Sequence, residues 1–209
     1  MDVSIPGGGL LDRRVGSLIA ALLGVEHGVT GRALSRTTGV PQATVSRILR
    51  RLANLGLVLE EPVPPATLYR LNREHLLLSG LCGLVSVQGE LRDRAAHEVA
   101  GWRVRPDAVI CYGSAVRGDG DSDSDIDLLV VRPNTVAPDE PTWERQVSGL
   151  SRLVTAWTGN RASVIEMSRR EVGAGLDSGE PFLRNADEQG WPLTGVRLRD
   201  LVTSSAIAP

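Results

Sequence analysis

The 209-residue sequence contains no lysine, so all 23 of its basic residues are arginines. We interpret this absence as a compositional bias of the source rather than as a sign of function. Only two cysteines are present, Cys82 and Cys111, and they form neither a metal-ligand cluster nor a disulfide framework. A reduced, cytoplasmic location is therefore the default prediction.

Long apolar runs are also absent. The uncharged runs at 15–25 and 76–87 are shorter than the ~20 residues that a membrane-spanning helix needs. Arg13 and Arg14 precede the first run, but no small-x-small cleavage site follows it, which argues against an export signal. The sequence predicts a soluble protein without a membrane partner.

Acidic residues are missing from one part of the chain. Residues 1–72 contain eight arginines and five acids, whereas residues 73–209 contain fifteen arginines and twenty acids. Between His27 and Leu59 there are five arginines and no acid. Such a local positive region suits a nucleic-acid backbone. On charge alone, a solvated helix face is an equally good interpretation.

The N-terminal third has a helical pattern followed by a strand pattern. Apolar spacing predicts helices over 10–23, 30–39 and 41–56, with Thr30 as an N-cap and glycines at the ends of the last two. The segment LVLEEPVPPATLYRLN then predicts two short strands joined by a proline-rich turn. Three helices followed by a hairpin predict a winged helix-turn-helix domain over residues 1–72.

Residues 30–57 resemble the helix-turn-helix of winged-helix bacterial regulators, and residues 69–71 resemble their second wing strand. This resemblance implies that the third helix enters the major groove of double-stranded DNA, where residues near its start contact bases and later arginines contact phosphates. The implied DNA-binding residues are Gln42, Thr44, Ser46, Arg47, Arg50 and Arg51.

The wing departs from this pattern, because Glu60, Glu61 and three prolines replace a basic tip. Use of the domain for protein contact or homodimer formation therefore stays open. Beyond the wing, residues 73–102 predict one long connector helix.

A glycine turn and a pair of aspartates stand out in the C-terminal half. A buried-strand pattern at 107–112 leads into Gly113 and Ser114 and a short helix, and a second strand begins with Asp125 and Asp127. Side chains alternate along a strand, so these two carboxylates project to the same side. They repel each other unless a cation lies between them, and magnesium prefers carboxylate and phosphate oxygens. Glycine also lets a phosphate approach the backbone and a helix start. A phosphate-and-metal site is predicted.

The same residues resemble the DNA polymerase beta-like nucleotidyltransferase superfamily, especially its minimal bacterial members. Their pattern is Gly-Ser, about ten residues, Asp-x-Asp, and a third carboxylate on a later strand. In the strand RASVIEMS, Glu166 fits the third position, with glutamate replacing the commoner aspartate. The resemblance covers about residues 100–200. It implies an α/β (α+β) class, with a nucleotidyltransferase-fold mixed sheet flanked by helices over residues 103–209.

The resemblance also implies a function, namely metal-dependent transfer of a nucleoside monophosphate from a nucleoside triphosphate such as ATP to an acceptor. Mg²⁺ or Mn²⁺ would be the cofactor. Catalysis and metal binding are assigned to Asp125, Asp127 and Glu166, and nucleotide contacts to Gly113, Ser114, Arg117 and Ser124.

Several alternatives stay open. Arg117 fits phosphate binding and bracing of the acidic loop equally well, and Ser124 fits a hydrogen bond within that loop. The loop DGDSDSD lacks the glycine and glutamate of a calcium loop, but a solvated turn without a ligand remains an interpretation. Two other functions are a DNA-binding regulator that only senses a nucleotide and an antitoxin-like partner of a toxin. The sequence identifies neither the acceptor, the preferred base nor the DNA site.

Overall fold

The computed structural model describes residues 1–3, 7, 9–117 and 124–203. The chain divides into an N-terminal unit, Ile5–Val87, and a C-terminal unit, Gln88–Pro209 together with Met1–Ser4. Within the described part, no helix is both long enough and apolar enough to cross a membrane.

The N-terminal unit contains the predicted three helices and hairpin. Its three strands form an antiparallel sheet in the order β1-β3-β2. The sequence did not predict β1, which has only two residues. The elements are α1 (Arg13–Leu23), β1 (Val29–Thr30), α2 (Gly31–Thr38), α3 (Gln42–Asn54), β2 (Val58–Val63), β3 (Ala66–Leu71) and α4 (Leu78–Val85).

Side-chain caps determine where these helices begin. The carboxylate of Asp12 accepts hydrogen bonds from the N–H groups of Arg14 and Val15, so α1 starts after Asp12 rather than at Leu10 as predicted. Thr30 caps α2 as predicted, through a 3.2 Å hydrogen bond from the N–H of Ala33. The apolar faces then form one core, which includes Leu18, Leu22, Leu34, Val45, Leu49, Leu52 and Leu71.

The C-terminal unit is a mixed sheet flanked by helices, which confirms the predicted fold class. The strand order is β6-β5-β4-β7, and β5 and β6 are parallel while the other pairs are antiparallel. The sequence did not predict β7. The elements are α5 (Val87–Ala100), β4 (Ala108–Tyr112), α6 (Ser114–Arg117), β5 (Ile126–Arg132), α7 (Pro141–Thr158), β6 (Ala162–Ser168), α8 (Arg169–Ser178), α9 (Pro181–Glu188), β7 (Trp191–Gly195) and α10 (Leu198–Thr203).

The two faces of this sheet have different surroundings. One face contributes Ile110, Tyr112 and Leu129 to a core shared with α8, α9 and α10. Val109 and Leu128 alternate with these residues and are buried on the opposite face. Side chains on one face are therefore separated by the sheet from those on the other.

The predicted connector helix over 73–102 differs from the structure, which has two helices, α4 and α5, separated at Ser86. Side chains give the backbone an alternative to helix before α4: Asn72 accepts a hydrogen bond from the N–H of Glu74, and His75 accepts one from Leu77. The division between the two units falls just after the start of α5. The domain boundaries at 72 and 102 stay predictions.

Two isoleucines test the packing of the C-terminal sheet. Ile110 is 1% exposed and Ile165 is 37% exposed. Ile110→Ala should lower the free energy of unfolding by about 2–5 kcal/mol, because it leaves a cavity in the core. Ile165→Ala should cost under about 1 kcal/mol. All four tryptophans lie in the C-terminal unit, so their fluorescence during denaturation follows this unit. Equal losses would contradict the assigned core.

Candidate nucleotide site and nucleic-acid interface

The turn after β4 brings the backbone of Gly113 against the carboxylate of Asp127. Asp127 pairs with Tyr112 across the antiparallel strands β4 and β5. Gly113 has φ +78°, and a Cβ atom on it would lie 2.2 Å from Oδ2 of Asp127. Both the backbone conformation and the contact exclude a side chain at this position. The structure thus brings together the glycine turn and one of the two predicted aspartates.

Ser114 follows this turn as the first residue of α6 and is half-buried. The N–H of Val116 donates to the carbonyl oxygen of Gly113 at 3.2 Å, which closes the turn into the helix. The side chain of Arg117 and the acidic loop 118–123 lie outside the described residues. Their roles in binding phosphate or metal therefore stay predictions.

Asp125 lies one residue before β5 and is exposed. Two residues just before β6, Asn160 and Arg161, form hydrogen bonds with the backbone on both sides of Asp125. The N–H of Ile126 donates to the carbonyl oxygen of Arg161 at 2.8 Å. The side-chain amide of Asn160, which is 4% exposed, donates to the carbonyl oxygen of Ser124 at 2.9 Å. The sequence analysis did not identify Asn160, because nothing in the sequence shows that it is buried and bonded to Ser124.

The Asp127 carboxylate affects the ionisation of its neighbours. Burial, and then the negative charge of Asp127, raise the pKa of Cys111 to about 12. The same two causes raise the pKa of Tyr112 above its ordinary value. Both groups stay protonated near neutral pH, so Cys111 is unsuited to act as a nucleophile or metal ligand there. A divalent cation would offset the negative charge of Asp127 at this sheet end.

Glu166 does not reach this site, and the prediction that placed it beside Asp127 was wrong. In the parallel pairing of β5 with β6, Ser163 is the partner of Asp127 and Val130 is the partner of Glu166. Asp127 and Val130 are three residues apart on one strand, so they face opposite sides of the sheet. Glu166 instead accepts a 2.7 Å hydrogen bond from Nε of Arg132 in a largely buried ion pair.

Asp127 projects from one face of the sheet. On that face, the neighbouring strand β6 carries Ser163 and Ile165 and no carboxylate. Among residues 1–3, 7, 9–117 and 124–203, no three His, Cys, Asp or Glu side chains are grouped so that they could hold a metal ion. Two carboxylates with substrate phosphates are nevertheless an ordinary magnesium site. Asp125 and Asp127 therefore fit one divalent cation supplied together with a phosphate ligand.

Most of the predicted DNA-binding side chains form an exposed face of α3, while the stripe with Val45, Leu49 and Leu52 is buried. Ser46 also donates a 3.0 Å hydrogen bond to the carbonyl oxygen of Gln42. Arg32 belongs to the acid-free stretch but not to the predicted DNA-binding residues, and it lines a cleft of 550 Å³ between α2, α3 and β3. The exposed residues are Gln42, Ser46, Arg47, Arg50 and Arg51, and Thr44 is half-buried.

The Gly113 contact can be tested with a matched glycine. Gly113→Ala and Gly179→Ala should both lower stability by about 1–3 kcal/mol, because both positions have φ near +78°. At Gly179 the nearest atom to a new Cβ is the flexible end of Arg184. Only Gly113→Ala should displace Asp127 and abolish binding of Mn²⁺ with a nucleotide, measured by equilibrium dialysis. Retained binding in folded Gly113→Ala would contradict the assigned site.

Comparisons with known proteins agree with both resemblances. Residues 11–65 match the MarR family model, and residues 94–154 match the nucleotidyltransferase domain model. No curated protein matches the chain.

Two solved structures are distantly similar. A crystal structure of a toxin-antitoxin with AMP-PNP is 13% identical, with 55% of this chain and 83% of that chain covered and a TM-score of 0.35. TrmBL2, an archaeal chromatin protein with a novel mode of DNA binding, is 15% identical, with 82% and 70% covered and a TM-score of 0.29. The chain therefore combines a MarR-family winged-helix domain with a nucleotidyltransferase domain.

Proposed function

We propose that the C-terminal unit binds a nucleoside triphosphate with Mg²⁺ or Mn²⁺ and transfers its nucleoside monophosphate to an acceptor, while α3 binds double-stranded DNA. The contact between Gly113 and Asp127 is the observation that carries this proposal. It puts a turn without a side chain next to a carboxylate suited to a hard cation. A phosphate and a cation can therefore meet at one place.

The triphosphate would lie along the backbone at Gly113 and Ser114. Its negative charge opposes those of Asp125 and Asp127, so nucleotide and carboxylates need a cation between them. When bound, the cation neutralises part of this charge and polarises a phosphate oxygen. Asn160 donates a hydrogen bond to the carbonyl oxygen of Ser124, which holds the backbone next to Asp125.

In the transfer step, an acceptor hydroxyl oxygen forms a bond to the α-phosphorus. The bond from the α-phosphorus to the bridging oxygen breaks, and pyrophosphate leaves with the electron pair. Because Glu166 faces the other side of the sheet, Asp127 is the carboxylate proposed to accept the hydroxyl proton. This assignment revises the role that the sequence gave to Glu166.

A second candidate function is nucleotide binding without transfer, in a DNA-binding regulator that senses the nucleotide. The position of Ser163 favours it, because Ser163, and not the predicted third carboxylate Glu166, lies beside Asp127. A sensor needs the nucleotide contacts but not the full catalytic set. The antitoxin-like hypothesis stays a prediction from the resemblance.

The Asp127→Asn variant separates the two functions. It preserves the shape of the side chain and removes one charge that would stabilise the transition state. Transfer from labelled ATP, CTP, GTP or UTP to acceptors in a cell lysate should fall by about a hundred- to a thousand-fold. Asp139→Asn, the same change in an exposed turn, should leave transfer unchanged. If the wild-type protein binds nucleotide, changes its DNA affinity and labels no acceptor, the enzyme proposal is wrong.

Three arginine variants test the DNA interface in a mobility-shift assay. Arg47→Ala should weaken binding to a preferred sequence by about 1–3 kcal/mol and relax that preference, because Arg47 lies near the start of α3. Arg50→Ala should weaken binding to all sequences and reduce the salt slope by about 1. Arg14→Ala removes the same charge from an exposed position at the start of α1 and should change DNA binding little. Unchanged binding in both α3 variants would favour protein contact instead.

A further inference from the structure

The strands on either side of Asp127 determine which groups can join it around a cation. We propose that the nucleotide site of this chain holds one divalent cation rather than two, because Ser163 occupies the position where a further carboxylate would be needed. This inference rests on the nucleotide binding proposed above. It names Ser163 as the residue that limits the metal content of the site.

Asp127 has two direct cross-strand neighbours. Tyr112 is its partner on β4, and Ser163 is its partner on β6. Neighbouring strands lie about 4.8 Å apart, so the side chains of these partners border Asp127 on the same face. Tyr112 carries a phenol and Ser163 a hydroxyl group, and neither side chain has a carboxylate. Neither neighbour supplies a negative charge.

The remaining residues of β6 do not compensate for this. Ile165, the next residue on the Asp127 face, has no ligating atom. Met167 follows it with a thioether, which is a soft ligand that suits neither Mg²⁺ nor Mn²⁺. Glu166 is held on the opposite face, where its partner Arg132 has a side chain only 9% exposed. Moving Glu166 to the other face would require a one-residue shift of the whole strand.

The number of carboxylate ligands leads to the same conclusion. Within the described residues no third carboxylate is grouped with Asp125 and Asp127, and a magnesium ion typically uses one or two carboxylates together with substrate phosphates. In sites with two cations the ions lie about 3.5–4 Å apart and clamp the attacking and leaving oxygens. Of the described groups, a second cation would have only the triphosphate and neutral side chains as ligands, while repelling the first cation. A carboxylate at position 163 would supply a further ligand, because it would border Asp127 directly.

The experiment measures metal per bound nucleotide in the full-length protein. Equilibrium dialysis with labelled Mn²⁺ and labelled α,β-methylene ATP, which resists cleavage at the α-phosphorus, counts both ligands on the protein side. The wild type should retain one Mn²⁺ per nucleotide, and Ser163→Asp should retain two. Ser148→Asp adds the same charge on the exposed surface of α7 and should retain one. Tryptophan fluorescence checks that each variant is folded.

The outcomes distinguish this inference from the function on which it rests. Two Mn²⁺ per nucleotide in the wild type would overturn the single-cation inference and leave nucleotide binding intact. A ratio of one in folded Ser163→Asp would overturn the assignment of position 163. If the wild type retains no nucleotide, the proposed function itself fails. The wild-type ratio decides the inference even if Ser163→Asp does not fold.

Discussion

The proposed site depends on the contact between the Gly113 backbone and the Asp127 carboxylate. A carboxylate can occupy this position only if the residue opposite it has no side chain and a positive φ, and Gly113 meets both conditions. The antiparallel register that pairs Tyr112 with Asp127 sets the contact. The turn into α6 and the start of β5 are thereby fixed relative to each other.

The alternation of side chains then decides which other residues can take part. On the Asp127 face, the sheet interior is filled by the core shared with α8, α9 and α10, and the carboxylate lies beyond its end. Acids on the opposite face are separated from Asp127 by the sheet itself, however close they are along the chain. Glu166 is the clear case, because its charge is used to pair with the largely buried Arg132. A buried arginine without such a partner would be costly, which gives Glu166 a structural role in place of the catalytic one.

The sequence predicted the parts of the site that depend on neighbouring residues. Gly113, Ser114 and the aspartate pair form a local pattern, and the winged-helix elements follow from caps and apolar spacing. Glu166 was placed wrongly although its alternation with Ile165 and Met167 was recognised. Alternation shows that two residues face apart, but which face points to Asp127 depends on the register of β5 against β6, and a one-residue shift reverses it.

Other failures have the same origin in non-local contacts. The single helix predicted over 73–102 had no proline to break it, but its first residues are held out of a helix where the side chains of Asn72 and His75 form hydrogen bonds with the carbonyl oxygens of Gly56 and Leu55. Asn160 could not be found from the sequence, since its buried amide contacts Ser124, thirty-six residues away along the chain. Residues whose contacts are distant along the chain do not form a motif of fixed spacing, so the sequence alone does not identify them.

The charges of the two domains suggest how each selects its ligand. The acid-free stretch of the N-terminal domain suits a polyanion, and its exposed arginines on α3 need no cation to approach phosphates. The C-terminal half has an excess of acids, so the triphosphate of the proposed substrate would be repelled at the aspartates unless it arrived with a cation. Exposed charges act over only about 8–10 Å at moderate ionic strength, so each domain presents its own local field. The proposed polyanion site on α3 and the proposed nucleotide site at Asp127 therefore depend on local charge, and the net charge of the chain decides neither.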